Sequence, residues 1–287
     1  MEFVATVIVL ASTYALLAAG IVIVYKASRV INFAHGEFAI VGGYVFFSVG
    51  MLAGGSVGLA VAGAFLFSLC VGLLTYAVLM RRLVGEPFYV GILVTVGLAI
   101  LLKAAIIIIW KAQRVSIVLG DAAVFSFPSG GSLSFADMFS VTAAVAFYLA
   151  LFLFFRFSRL GIQFRGTAEN PLLASQRRVN VHAILALAWA IAVFAACLSG
   201  VLYGSRALLG PESVVIGLSG LTAALVGGLD SLRGALLGAL IVAFAEYTTV
   251  RLVDPILSEA VPFFILLLVM SVRPWGLFGT KEEFERV

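Results

Sequence analysis

Charge is scarce in this chain. Of its 287 residues only 11% are Asp, Glu, Lys or Arg, and there are just two histidines and two cysteines. A soluble fold keeps a wet exterior that polar side chains must cover, so a chain this poor in charge is not a soluble domain. No GxxxxGK(S/T) phosphate loop occurs, so the chain does not bind and hydrolyse ATP through that device. There is no GxSxG elbow or comparable catalytic set. No cluster of His, Cys and carboxylates has metal-ligand spacing. The net charge of +4 is not gathered into a basic stripe with interleaved aromatics, which excludes a nucleic-acid surface. The two cysteines, Cys70 and Cys197, fall inside apolar runs and are expected to pack there as small apolar residues. These absences argue against an enzyme and leave a chain that moves something or anchors something.

What the chain does have is hydrocarbon: 63% of it is hydrophobic and the mean hydropathy is +1.19. Nearly uncharged runs cover 3–24, 57–80, 88–110, 138–155 and 183–204, with shorter or charge-interrupted runs at 36–53, 213–229, 234–251 and 256–272. About 20 residues at 1.5 Å each cross a hydrocarbon core of about 30 Å. The expected fold is therefore all-α, a polytopic transmembrane helical bundle of eight to nine spans, some of them short or discontinuous. The first run has no basic residue before it and exceeds the roughly 7–15 residues of a signal-peptide core, so it reads as a span. Lys and Arg crowd the loops at 25–35, 81–87, 156–182 and 230–233 and the tail 273–287, while Lys111, Arg114, Arg206 and Arg251 fall to the other side. By the bias of basic residues towards the cytoplasm, the N-terminus is expected outside and the C-terminus inside, which requires an odd number of crossings.

Two loops interrupt the pattern. The segment 111–137 is expected outside, with a turn at "PSGGS". The segment 158–181, "SRLGIQFRGTAENPLLASQRRVNV", is expected inside, where Asn170 can cap a short basic helix with Pro171 at its first position. That helix is either a solvated connector or a rod that docks into a partner's groove. A faint echo, "AIVGG" at 39–43 and "ALVGG" at 224–228, falls in runs that cross in opposite directions, as inverted repeats of transporters do.

Polar residues inside so apolar a chain are the candidate functional groups. In "INFAHGEFAIVGGY", Asn32 can accept from the amides of Ala34 or His35, and Glu37 complements the positive helix end. Capping leaves His35 and Gly36, Gly42 and Gly43 unexplained, so this helix is also a candidate to line a path. Residues 210–239 carry seven glycines, with Ser219 and Thr222 in mid-run and Gly227, Gly228 and Gly234 around the break "LDSLR". A run of about 17 residues with such a break reads either as a discontinuous helix lining a cavity or as tight helix packing. Lys103 and Glu246 are ionisable groups within spans, about 21 and 18 Å deep at 1.5 Å per residue. That similar depth allows an ion pair, and snorkelling of Lys103 to the interface is the alternative.

"INFAHGEFAIVGGY", "RGTAENPLLA", "ALVGGLDSLRGALLGALIVAFAE" and "VRPWGLFG" stand in one order along the chain. In that order they closely resemble the H-type permease subunit of branched-chain amino-acid ABC importers. The resemblance implies a single permease domain over 1–287 in the bacterial inner membrane. It implies a related second permease, two cytoplasmic ATPase subunits that bind ATP and magnesium, and a periplasmic substrate-binding protein. This chain itself would hold no cofactor and no metal. Residues 158–181 become the coupling segment, with Ala168, Glu169, Asn170, Pro171, Leu172 and Leu173 at its core. Asn32, His35, Gly36, Glu37, Ser219, Thr222, Gly227 and Gly228 become candidates for the path. The substrate class implied is branched-chain or other apolar amino acids, with urea, short amides and aromatic carboxylates as alternatives. An ion-coupled transporter or channel using Lys103, Glu246 or His35 is the rival class. Two departures are visible: Asp230 stands where the family commonly has Gly, and Arg178-Val179-Asn180 replaces a Gly-Ile-Asn-like turn.

Overall fold

A computed structural model describes residues 2–120, 124–126 and 132–280. The "PSGGS" turn up to Gly131 and the tail beyond Thr280 lie outside the described residues. Eleven α-helices follow in order: α1 (Glu2–Ser28), α2 (His35–Leu52), α3 (Val57–Val78), α4 (Phe88–Trp110), α5 (Phe135–Phe157), α6 (Arg159–Glu169), α7 (Pro171–Gln176), α8 (Val181–Gly204), α9 (Ile216–Gly227), α10 (Leu232–Leu252) and α11 (Val261–Val272). Short 3₁₀ turns precede α9 at Pro211–Val215 and α11 at Pro255–Ala260, and a small hairpin pairs 124–126 with 132–134. Helices are the form such runs must take, because a span in lipid has to satisfy its backbone polar groups internally.

The interior is built on α1 and α8. Leu16, Leu17, Ala18, Ala19, Ile21 and Val22 of α1 are fully buried, as are Ala188, Ala192, Val193, Ala195, Ala196 and Leu202 of α8. Small residues there let backbones approach closely. Gly42 and Gly43 of α2 pack against Cys197 and Gly200 of α8, and a Cβ on Gly200 would run into the Ala39 carbonyl. This close crossing is the reason for the glycines that capping leaves unexplained. Cys197 is buried as expected, but Cys70 is exposed on the outer face of α3 rather than packed. The outermost helices, α4 and α11, carry exposed Ile, Leu and Phe along most of their length, the pattern of a lipid-facing surface.

Helix contacts reveal a repeat. Helix α1 packs on α10 as α8 packs on α3, α2 packs on α8 as α9 packs on α1, and α4 flanks α2 as α11 flanks α9. The central pair runs antiparallel: Gly20 of α1 lies at Ala192 of α8, and Thr13 accepts from Ser199 at 3.0 Å. Helices α1–α4 and α8–α11 are thus two copies of one arrangement with opposite direction. The five-residue echo falls on the equivalent helices α2 and α9, extending one residue past α9.

Among the described residues eight helices are long and apolar enough to cross a membrane, and the segment Pro211–Gly227 is a shorter apolar one. Leu209 pairs with Val115 just before that segment, and Gly227 accepts from Phe278 at its other end. It therefore runs from one face of the bundle to the other. Nine passages put Glu2 and Thr280 on opposite faces. Lys26, Arg29, Arg81, Arg82, Arg156, Arg159, Arg165, Arg177, Arg178, Arg233 and Arg273 all fall on the face that holds α6, α7 and Thr280. We call it the basic face.

Candidate functional site

The segment after α1 turns back into the bundle instead of staying on the basic face. Val30 packs on Gly91 of α4, and the Ile31 carbonyl accepts from the buried Thr95 hydroxyl at 3.2 Å. Asn32 then accepts from the Ala34 amide at 3.1 Å through Oδ1, as expected from the sequence, although the residue flanking α2 is Ala34. Helix α2 begins at His35, whose ring lies over Gly20; a Cβ there would sit 2.5 Å from Cε1 and Nε2. Gly20 is eight residues from the end of α1, so α2 starts about 12 Å inside the bundle. Gly36 meets Gly217 at the junction where the 3₁₀ turn becomes α9. The passage 211–227 is broken at this junction, whereas "LDSLR", the break read from the sequence, is the reversal between α9 and α10.

A pocket of about 140 Å³ opens there, lined by Asn32, Phe33, His35, Gly36, Glu37, Val214, Val215, Gly217, Leu218 and Leu221. Asn32 and His35 are each 1% exposed. Asn32 Nδ2 has no hydrogen-bond partner, and the His35 ring has only the Leu17 backbone near it, outside good hydrogen-bond geometry. Four of the sequence candidates, Asn32, His35, Gly36 and Glu37, therefore come together.

The others do not join them. Ser219 and Thr222 are buried on α9 outside this pocket, with Ser219 beside Tyr14. Gly227 and Gly228 pack the tight reversal between α9 and α10 against Gly234, Gly276 and Gly279. The Lys103–Glu246 pair is not formed. Both Glu246 oxygens accept from the Tyr14 hydroxyl, at 2.9 and 2.8 Å, while Lys103 is exposed on α4 and its charge acts on Glu37. Equal depth on two helices does not make them neighbours, and α10 packs on α1.

On the basic face, 158–181 forms two helices rather than one. Ser158 caps α6 at the Gly161 amide (2.8 Å), and Phe164 and Thr167 bury its inner side. Asn170 ends α6 and caps α7 through the Leu173 amide at 2.9 Å, with Pro171 in the first position as expected. Leu172 and Leu173 are 68% and 56% exposed, an apolar pair left open on a polar surface. Ala168, Glu169 and Pro171 border a second pocket of about 370 Å³ with Lys26, Tyr76 and Trp189. The Tyr76 hydroxyl lies 2.7 Å from Nδ1 of His182. Beside them the chain end folds over the α9–α10 reversal. Leu277 and Phe278 donate to the Val226 and Gly227 carbonyls at 2.8 and 2.9 Å, and Asp230 accepts from the Thr280 amide at 3.0 Å and from its hydroxyl. Gly228 and Gly276 hold φ of 111° and 81°, a region closed to most side chains. The charge at Asp230 thus fastens the end of "VRPWGLFG", a contact that local sequence gives no way to foresee.

Among the described residues no cluster of three His, Cys or carboxylates can hold a metal. The family model of the permease component of branched-chain amino acid transport systems matches residues 3–270. The high-affinity branched-chain amino acid transport permease LivH of Escherichia coli is 31% identical, over 98% of this chain and 95% of its own. BraD of Pseudomonas aeruginosa, a permease of the same description, is 32% identical over 96% and 94%. A probable LivH of Methanocaldococcus jannaschii is 27% identical over 95% and 90%. These relatives are transport permeases rather than enzymes. A bundle of apolar helices around a half-buried polar pocket is what such a component requires, and this chain belongs to the family of branched-chain amino acid transport system permease components.

Proposed function

We propose that this chain is the membrane permease subunit of an ATP-driven importer of branched-chain or other apolar amino acids. The observation that carries the reading is the pocket at the start of α2. In a member of this family, a helix begins inside the bundle against a second, broken passage, and the buried Asn32 Nδ2 beside it has no protein partner. Non-helical backbone at membrane depth is tolerated where it lines a cavity. The helices act together as one permease domain, and the basic face is cytoplasmic, with the N-terminus outside. Residues Ala168 to Leu173 dock on an ATPase subunit, for which the open Leu172 and Leu173 are suited. ATP and magnesium bind in that partner. A second related permease completes the membrane core, and an external binding protein delivers the substrate. ATP binding draws the ATPases together and shifts the bundle between outward and inward facing. The ion-coupled alternative is less well served, since Lys103 and Glu246 are not adjacent.

The test is purification of the tagged chain from its native membrane in mild detergent, followed by reconstitution with its binding protein. Two ATPases and a second permease should accompany it, and ATP should drive leucine uptake. A chain that purifies alone and moves leucine on a proton gradient refutes the proposal.

A further inference from the structure

We infer that the pocket at the start of α2 is a zwitterion site, built to hold the carboxylate and ammonium groups of an aliphatic amino acid in transit. This rests on the transport function proposed above and assigns its chemistry to named groups. Helix α2 is 18 residues long, and its first-turn amides have no helical acceptor. Such an end favours an anion, and it lies about 12 Å inside the bundle. The Asn32 side chain adds an independent signal. It is 1% exposed and its Oδ1 is taken by Ala34, so Nδ2 is a buried donor without an acceptor. A buried donor left unpaired is costly, and a carboxylate oxygen is the acceptor that would satisfy it. His35 borders the same space, also 1% exposed, with the Leu17 backbone as its nearest polar neighbour.

A bare anion is not what the site fits. Glu37 is the one carboxylate among the lining residues and faces an incoming ammonium; the Lys103 charge acts on it from α4. Phe33, Val214, Val215, Leu218 and Leu221 supply an uncharged wall for an aliphatic side chain. At about 140 Å³ the space equals the liquid volume of four or five waters, at about 30 Å³ each, which admits one small molecule and no peptide. Glu37 stands in the first turn of α2 with its carboxylate on its own amide, so the two charges lie side by side, as the carboxylate and ammonium of an α-amino acid do. Glu37 repels an acid without an amine, and the helix end an amine without an acid.

The chain has only two histidines, which makes the site observable. The importer would be assembled in nanodiscs from ¹⁵N-histidine-labelled chain and unlabelled partners, then titrated with leucine, 4-methylpentanoate and 3-methylbutylamine. Leucine should move the His35 imidazole signal saturably and leave that of His182 in place. The acid and the amine should bind at least about tenfold more weakly. Asn32→Ala should weaken leucine and the acid by about tenfold and spare the amine, and Glu37→Gln should do the converse. If either analogue binds as well as leucine, or if leucine leaves His35 unmoved in a complex that imports it, the zwitterion site is wrong and the transport reading stands. A wild-type complex that imports no amino acid removes the transport reading itself. The comparison of ligands on the unaltered protein decides the matter even if a variant fails to fold.

Discussion

Single residues in this protein fix contacts between helices far apart in sequence. Tyr14→Phe removes the hydroxyl that both Glu246 oxygens accept. A hydrogen bond to a charged group contributes about 1.5–3 kcal/mol, so the variant should melt several degrees lower in detergent. Glu246→Gln should recover most of that loss when combined with it, because an amide needs the donor less. Thermal unfolding followed by circular dichroism measures both, and equal melting of Tyr14→Phe and wild type would show the contact to be idle. Gly200→Ala is the harsher change, since the new methyl falls on the Ala39 carbonyl. Overpacking costs about 1–3 kcal/mol and the obstacle is rigid backbone, so the upper end is expected, with reduced yield of folded protein in membranes.

At the scale of elements, α7 is short enough to depend on its cap. Asn170→Ala removes the acceptor for the Leu173 amide at a cost of about 1 kcal/mol, which a six-residue helix cannot spare. Local hydrogen exchange in 170–177 should accelerate while the spans stay protected. If α7 is the docking rod, the same variant and Leu172→Ala should lower ATPase copurification without changing melting of the bundle. Retention of the ATPases at wild-type levels would move the interface elsewhere. The cap and the proline were legible in the sequence, because both act within three residues. Helix α6 was not expected, although Gly161, Phe164 and Thr167 recur at helical spacing; what buries that face, α1, α5 and α8, is decided by the fold.

For the whole molecule, the three spans α3, α4 and α5 place the α2–α3 loop and α7 on opposite sides of the membrane. With Cys70 and Cys197 replaced, a cysteine at Ser56 should react with an impermeant maleimide from outside intact cells, and one at Arg178 only after the membrane is opened. Labelling of both from one side would require an even number of crossings between them, and one of α3, α4 and α5 would then not span. The inverted arrangement also explains why α1 and α8 are the most buried of the full-length spans: each copy packs its first helix against the other's. A rocking motion of one copy against the other would leave the α2–α9 junction near the pivot, where the polar pocket lies.

The sequence by itself determined the class of the fold and its lengths. Hydropathy sets which segments cross, basic residues set which loops share a face, and a cap such as Asn170 is written within a few residues of its helix. It also drew attention to 30–44 and 210–239, because polar and glycine residues are costly in lipid unless they have a use. Only the tertiary structure decided what those residues touch. It gave Glu246 to Tyr14 rather than Lys103, placed Gly227 and Gly228 in a structural reversal under the chain end, and brought Gly36 against Gly217. The physical reason is that helix composition fixes depth in the membrane but not rotation or neighbourhood. Those come from where small residues allow two backbones to approach, and that choice is made by the whole set of helices at once.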